Sequence, residues 1–372
     1  MSNPDTTPTP PTAPPASSPP PSPIDGFILT SSPHAFAPVD TRRIMYLVIV
    51  TLLPAAVISV LYFGLRVLLL YGVGILSAMA TEAVTKIIRK RSWKSSLDGS
   101  AIITGLLLVM TLPPSISPIA VVVGSVVAIF IGKELFGGLG ANVFNPALVG
   151  RAFLAAAYPV AITTWTAPAA LFRFLPQQVD ATTSATPLAA AKFDHVATPL
   201  MNLLLGQTGG SIGETAALLI ALGGIVLLLM RITRWPVVVS LLATVYLLGS
   251  LFHLINPAQY PSGLFHLLSG GLALGAFYMA TDMATTPYTD AGAVIFGIGT
   301  GILVIIIRLF GGFPEGVMYA ILLMNAVTPL INRGVNNKTF GRAEARERAS
   351  RTAAAAKAPA APKDAGKAGT QS

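Results

Sequence analysis

The sequence LFGG occupies residues 135–138 and occurs a second time at residues 309–312, an offset of 174 residues (position 309 against position 135). The same offset places TLP at 111–113 opposite TTP at 285–287. Similarity that returns at one fixed offset is the signature of an internal repeat. We therefore predict that the chain contains two copies of one structural unit.

Long apolar segments surround both copies of this unit. Of the 372 residues, 53% are hydrophobic and only 10% are charged, whereas a soluble domain carries about 25% charged residues. Several apolar runs reach about 17 to 22 residues, the length that a helix needs to cross a bilayer. The composition predicts an all-α polytopic membrane protein. We expect about ten transmembrane helices, at residues 44–64, 67–86, 100–114, 116–132, 146–164, 214–230, 236–254, 264–280, 292–309 and 316–332.

The direction of the two copies follows from this count. Five crossings separate equivalent points, and five is an odd number, so the second copy must be inverted relative to the first. Lys and Arg mark the cytoplasmic side of a membrane protein. They cluster at residues 42–43, 86–94 and 231–234 and in the C-terminal tail. The pattern predicts a five-plus-five inverted repeat with cytoplasmic N and C termini and an external loop.

Five regions are predicted from these features. The first 23 residues are rich in Pro, Ser and Thr and contain no Lys or Arg, so they are not typical of a cleavable signal peptide. The regions are a disordered Pro-rich tail (1–41), a first membrane half (42–165), an external loop (166–213), a second membrane half (214–333) and a basic, Ala-rich cytoplasmic tail (334–372).

Several kinds of chemistry are excluded by residue types. The chain contains no Cys, so it cannot bind an iron–sulfur cluster or a metal through thiolates. Electron transfer through it would require a flavin, a quinone or a haem. No phosphate-binding Gly-Lys-Ser loop, Ser/His/Asp set or paired-carboxylate hydrolase pattern is present, and nothing besides net charge supports nucleic-acid binding. We expect no catalytic residue and no metal site in this chain alone.

Each copy contains a short apolar segment that ends at a proline, at residues 102–114 and 272–287. Interrupted segments at matching places in two halves are typical of a binding site near the bilayer midplane. The alternative is that these prolines only end two helices. A carboxylate at membrane depth is a candidate functional group. The candidates for an ion path are Asp282, which lies in the second break, Asp98 and Glu134. For Glu134, pairing with Lys133 or Arg151 in a structural role is an equal alternative.

The predicted external loop contains DATTSATP at residues 180–187. Small side chains at 181, 184 and 185 are predicted to leave the Thr186 hydroxyl accessible, and Pro187 disfavours helix at Thr186. From these residues alone, the loop needs no partner other than solvent.

Four stretches together resemble a known family: KELFGGLG at 133–140, NVFNPALVGRAF at 142–153, ATDMATTP at 280–287 and the external loop. The chain resembles the D subunits of the Rnf complex, the ion-translocating ferredoxin:NAD oxidoreductase, from about residue 24 to residue 335. These subunits are similar to the B subunits of the sodium-translocating NADH:quinone reductase.

The resemblance implies a cofactor and its attachment site. In these families, a pattern Asp-x-x-Ser/Thr-Gly/Ser-Ala-Thr accepts covalent FMN, which a flavin transferase joins through its phosphate to the last Thr. The resemblance therefore implies an FMN phosphoester on Thr186, with Asp180, Ser184 and Ala185 as recognition residues. It leaves open a second, non-covalent flavin.

The resemblance also implies partners and a place in the cell. The partners would be the other subunits of the Rnf complex, including iron–sulfur and flavin subunits and a second subunit with covalent FMN. The place would be the bacterial inner membrane, with the flavin loop on its outer side. Two alternatives remain. One is the quinone-reductase B subunit, whose pattern more often has Gly where this chain has Ser184. The other is a secondary transporter or channel without redox function. Na⁺ and H⁺ both remain open as the coupling ion.

Overall fold

The computed structural model describes residues 40–166, 168, 185–196, 198–206, 208–213 and 217–335. The predicted N-terminal tail up to residue 39, most of the external loop and the C-terminal tail from residue 336 lie outside the described residues. The described helices belong to one compact unit that begins at Thr41. The regular elements of the described residues are helices, as predicted.

Fourteen α-helices are present in the described part of the chain: α1 Thr41–Phe63, α2 Leu65–Ile88, α3 Ser100–Met110, α4 Pro118–Ile129, α5 Pro146–Ala157, α6 Pro159–Thr163, α7 Pro187–Ala189, α8 Leu200–Leu205, α9 Ala217–Leu229, α10 Trp235–Ile255, α11 Gly263–Leu268, α12 Leu272–Leu274, α13 Asp290–Phe310 and α14 Val317–Gly334. A 3₁₀-helix occupies Trp93–Asp98. Three π-helical segments follow α4, α7 and α12 directly, at Phe130–Glu134, Ala190–Asp194 and Gly275–Met279.

Each of the ten predicted crossings contains helix. Four helices of the described residues, α1, α2, α10 and α13, are long and apolar enough to cross a membrane, and α3, α5 and α9 are shorter apolar helices. At a rise of 1.5 Å per residue, the 11 residues of α3 cover about 16 Å, roughly half of a hydrocarbon core. The eighth predicted crossing is broken into α11, α12 and the π-helical segment that follows. These are the helices of a polytopic membrane protein, in which several segments are interrupted.

The helices pack in the same order in both parts of the chain. In the first part, α2 packs on α3 and α4, and α4 packs on α5. In the second part, α10 packs on α11 and α13, and α13 packs on α14. An arginine near the start of α2 and one just before α10 make matching contacts: Arg66 donates to the carbonyl oxygen of Ser115, ahead of α4, and Arg234 donates to that of Tyr288, ahead of α13.

The repeated LFGG stretches differ in backbone conformation. Gly137 and Gly138 have φ values of 126° and 103°, a region that favours glycine because it has no Cβ. Gly311, the counterpart of Gly137, has φ −72° and only ends α13. The first copy therefore makes a turn that needs glycine, and the second does not.

Helices α2 and α3 approach each other at two glycines. A Cβ on Gly105 would lie 2.6 Å from the carbonyl oxygen of Gly74. Small residues that let helix backbones approach are typical of membrane-helix interfaces. The contact holds the short helix α3 against a helix long enough to span the membrane.

We expect Gly105→Ala to destabilise the protein by about 1–3 kcal/mol, the usual cost of overpacking, because the obstructing atom belongs to the backbone of α2. The matched control is Gly72→Ala, also in α2, since a Cβ there would meet no atom within 4 Å. Thermal unfolding in detergent checks this. An unchanged midpoint for Gly105→Ala would contradict the close approach.

Candidate functional site

A π-helical segment lies next to each of the main candidate residues. Lys133 and Glu134 lie within the first segment, Thr186 lies four residues before the second, and Asp282 lies three residues after the third. Such segments are rare in proteins, and those that occur are often found at functional sites. A π-helical turn changes which neighbouring side chains share a face, and in the first segment both Lys133 and Glu134 are buried.

Thr186 begins the short helix α7. Its backbone is extended (φ −67°, ψ 153°), as expected for a residue before proline. Its hydroxyl oxygen accepts a hydrogen bond from the backbone N–H of Ala189 at 3.2 Å, which satisfies a free donor at the helix start. The prediction that this hydroxyl is accessible is wrong: Thr186 is only 2% exposed.

The burial of Thr186 has a structural cause. Leu188 and Ala191, on the helical turns that follow, pack with Leu203 and Phe265 in a small hydrophobic cluster. This packing buries the start of α7 in the fold.

The other residues of the predicted attachment site differ in exposure. Ala185 is exposed, whereas Asp180 and Ser184 lie outside the described residues. Lys192, near the end of the same helical stretch, donates to the carbonyl oxygen of Gly311, and partial burial lowers its pKa.

A large cavity lies close to this cluster. Its volume is about 130 Å³. The cluster and the cavity meet at Gly270, where an added Cβ would lie 2.7 Å from Leu188 Cδ1 and 3.0 Å from Arg308 Nη2. The side chains that line the cavity are mostly apolar, with three aromatic rings and two arginines: Trp165, Phe313, Tyr319, Arg151 and Arg308.

The two arginines of this cavity are held differently. Arg308 is 2% exposed and donates to the carbonyl oxygens of His266 at 2.6 Å and Ser269 at 3.0 Å. Arg151 forms an ion pair with Glu315. The cavity therefore combines aromatic surface with fixed positive charge, a lining that suits a planar, anionic ligand.

Both predicted breaks are present, and their free backbone groups are satisfied by distant residues. In the first break, the N–H groups of Ile212 and Gly213 bond the carbonyl oxygens of Leu112 (3.0 Å) and Met110 (2.6 Å). In the second break, the Asn145 amide donates to the carbonyl oxygen of Met279 at 3.2 Å. Asn145 also caps α5 through its side-chain oxygen. Each break is thus held by a segment from another part of the fold.

Asp282 lies within the second break, after its π-helical segment, and is partly buried. Its carboxylate accepts hydrogen bonds from the Thr285 hydroxyl at 3.3 Å and from the Ala284 N–H at 3.5 Å. Asp282 and Lys133 line one cavity of about 70 Å³.

Lys133 is the centre of a buried polar cluster. Its ammonium group lies 2.8 Å from Glu82 Oε2 and 2.6 Å from Ser100 Oγ. The Ser100 hydroxyl in turn donates to Asp98 Oδ1 at 2.6 Å. Glu82 has a second cation, Lys86, at 2.5 Å. The structure therefore brings two candidates near one lysine, Asp98 through Ser100 and Asp282 through the shared cavity.

The predicted partners of Glu134 are wrong. Its carboxylate pairs with Arg89, at 3.4 Å, because Lys133 is directed to Glu82 and Arg151 to Glu315. The side chain of Glu134 is nevertheless 2% exposed. It does not line the cavity between Lys133 and Asp282.

Sequence reasoning missed Arg308 and the central place of Lys133. The repeat offers a signal for Arg308, because position 308 is the counterpart of Glu134 at an offset of 174 residues. Two buried residues of opposite charge thus precede the two LFGG stretches. For Lys133, the contact with Glu82 joins residues 51 positions apart, and no local pattern indicates it.

Comparison with known proteins assigns the family. Residues 28–341 match the model of the NQR2, RnfD, RnfE family. The chain is 43% identical over 325 residues to the D subunit of the proton-translocating ferredoxin:NAD(+) oxidoreductase complex of Clostridium ljungdahlii, with 85% of this chain and 96% of the relative covered. It is 41% identical over 317 residues to the D subunit of the Na(+)-translocating ferredoxin:NAD(+) oxidoreductase complex of Acetobacterium woodii, with 84% and 95% covered. The chain belongs to the NQR2, RnfD, RnfE family.

Proposed function

We propose that this chain is a membrane subunit of an ion-translocating ferredoxin:NAD oxidoreductase complex and that it carries FMN on Thr186. The observation that carries the function is the likeness to D subunits of such complexes, along nearly the whole length of each relative. Their names include a proton-translocating and a sodium-translocating complex, so the transported ion is Na⁺ or H⁺. The other subunits of the complex are the partners of this chain.

The proposal includes an arrangement in the membrane. The two halves form a five-plus-five inverted repeat in the bacterial inner membrane, with both termini in the cytoplasm. The matching packing order of the helices supports this arrangement, as does the basic character of the loops assigned to the cytoplasm. Thr186 and the large cavity then lie toward the outer side, and the Lys133 cluster lies toward the cytoplasm.

Thr186 and the nearby large cavity together fit a flavin attached through its phosphate. The phosphoester would form on the Thr186 hydroxyl oxygen, which already accepts the Ala189 N–H at the start of a helical stretch, a place that favours an anion. Trp165, Phe313 and Tyr319 offer flat apolar surface to an aromatic ring system. Arg308 supplies positive charge beside it, whereas the charge of Arg151 is balanced by Glu315, which lines the same cavity.

The chain's residues would have three tasks at this site. Bound FMN accepts and donates electrons, a chemistry that no side chain here supplies. Thr186 tethers the group, the aromatic residues exclude water from it, and Arg308 stabilises added negative charge in a poorly solvated place. The burial of Thr186 implies an order of events, because a transferase reaches its hydroxyl only before Leu188 and Ala191 have packed into the fold.

Two readouts test the proposal on the intact complex. Ultraviolet illumination of a denaturing gel is expected to show a fluorescent band at the mass of this chain, since only a covalent flavin survives denaturation. Sealed vesicles that contain the complex are expected to build an ion gradient while reduced ferredoxin reduces NAD. If the band of this chain does not fluoresce, the chain carries no covalent flavin. A gradient that forms without electron transfer would indicate a transporter without redox function.

A further inference from the structure

We propose that the ammonium group of Lys133 is an exchangeable internal cation, which pairs with Glu82 in one state and with Asp282 in another. In the second state it displaces a transported monovalent cation, Na⁺ or a proton, from Asp282. The inference rests on the proposed ion-translocating function and adds a positioning residue to it. If the cation is Na⁺, no covalent bond forms or breaks, because one cation replaces another at a carboxylate. If it is a proton, the O–H bond of the Asp282 carboxyl breaks and the proton passes to water in the cavity between the two residues.

The first support is the surplus of cations at Glu82. This carboxylate is fully buried and lies within ion-pair distance of both Lys133 and Lys86. A buried carboxylate that lost its only partner would be strongly destabilised. Because Lys86 remains one helical turn away on α2, Glu82 can release Lys133 and still be neutralised.

The second support is the lack of a cation at Asp282. Among the described residues, no Lys, Arg or His lies within 4.0 Å of its carboxylate. Its donors, the Thr285 hydroxyl and the Ala284 N–H, are neutral, and Lys133 lines the same cavity. Asp282 is thus a carboxylate with room for a cation, opposite a lysine that has an alternative partner.

The third support is the space between the two groups. The cavity of about 70 Å³ is lined by both Lys133 and Asp282, and it is large enough for more than one water molecule. Oxygen atoms suited to a small hard cation also line it, on Ser100, Thr104, Asn142 and Asn145. The flexible four-carbon stem of a lysine allows its ammonium group to move within such a space.

The two carboxylates lie in different membrane halves, so the cation exchange can be coupled to a movement of the halves. Glu82 and Lys133 belong to the first membrane half, and Asp282 belongs to the second. A shift of one half relative to the other would change the distance from Lys133 to Asp282 while leaving its distance to Glu82 unchanged. A two-state movement would therefore alter cation affinity at Asp282, as coupling requires.

Several other charged or titratable groups face Lys133 or Asp282 and act on the same equilibrium. They are Lys86 of α2, Asp98 of the 3₁₀-helix and Tyr278 of the third π-helical segment. The ion pair of Glu134 and Arg89 lies next to Lys133 along the chain. None of these groups is altered in the variants below.

The test uses the whole complex in sealed vesicles and measures the cation concentration that gives half-maximal NAD reduction. Lys133→Met removes the competing cation, so this concentration is expected to fall about tenfold, within the usual range for coupled sites. Glu82→Gln releases Lys133 toward Asp282, so the concentration is expected to rise by a similar factor. Na⁺ is varied at constant pH in one series and pH at constant Na⁺ in the other, which identifies the ion.

The control is Lys94→Met, an exposed lysine in the 3₁₀-helix, for which no change is expected. Chain-bound flavin fluorescence and assembly with the partner subunits verify folding of every variant. If Lys133 had only a structural role, Lys133→Met and Glu82→Gln would shift the half-maximal cation concentration in the same direction. Either that result or an unchanged concentration for Lys133→Met overturns the inference. If the wild-type complex shows no dependence on either cation, the proposed function fails and the inference fails with it.

Discussion

Thr186→Ala is expected to abolish the covalent flavin of this chain and to reduce ferredoxin-driven NAD reduction by the complex to background. Alanine has no oxygen to form the phosphoester, so the effect on the flavin is complete rather than partial. The lost helix cap adds a modest structural cost of about 1 kcal/mol. Gel fluorescence and NAD reduction by the purified complex measure the two losses.

The matched control for this variant is Thr182→Ala, which removes a hydroxyl from the same stretch four residues earlier. It is expected to retain both the fluorescence and the activity. If Thr186→Ala retained a fluorescent band, the flavin would be attached elsewhere. If it lost the flavin but kept ion-coupled NAD reduction, the flavin would lie outside the path of the electrons.

Arg308→Met is expected to cause the largest loss of stability among the substitutions considered. Methionine preserves much of the side-chain length but leaves the buried carbonyl oxygens of His266 and Ser269 without their donor. Each unsatisfied buried group costs about 1–3 kcal/mol, so the expected loss for the two groups is about 2–6 kcal/mol. The measurement is thermal unfolding in detergent, in the Thr186→Ala background so that flavin binding does not contribute.

Arg234→Met is the appropriate comparison, because Arg234 also donates to backbone carbonyl oxygens, those of Pro287 and Tyr288. Its side chain is 34% exposed, so water can replace the lost donor, and we expect a cost below about 1.5 kcal/mol. Equal losses for the two variants would mean that burial does not determine the contribution of these arginines.

The helices themselves were largely predictable from the sequence. Ten apolar segments were expected and each contains helix, and the two proline-terminated breaks were located from the repeat. The segments between 263 and 279 were harder to predict, since apolar composition does not distinguish one long helix from several short ones. A helix that is apolar on all sides also gives no sign of which face packs inward.

The side-chain contacts of the candidate site could not be predicted. The sequence places Glu134 beside Lys133, yet each pairs with a residue at or next to α2 instead, because the π-helical turn redirects both. The accessible hydroxyl expected at Thr186 is buried because Leu188 packs against a helix more than 70 positions away. Such contacts depend on tertiary packing, to which local composition is insensitive.

The attachment of FMN to Thr186 is tested most directly by mass spectrometry of the peptide that contains residues 180–187, from the purified complex. A phosphoester forms with loss of one water, so the peptide is expected to be heavier than its sequence by the mass of FMN less one water. Fragmentation is expected to locate this increment on Thr186. An unmodified peptide, or an increment located on Thr182 or Thr183, would contradict the proposed site.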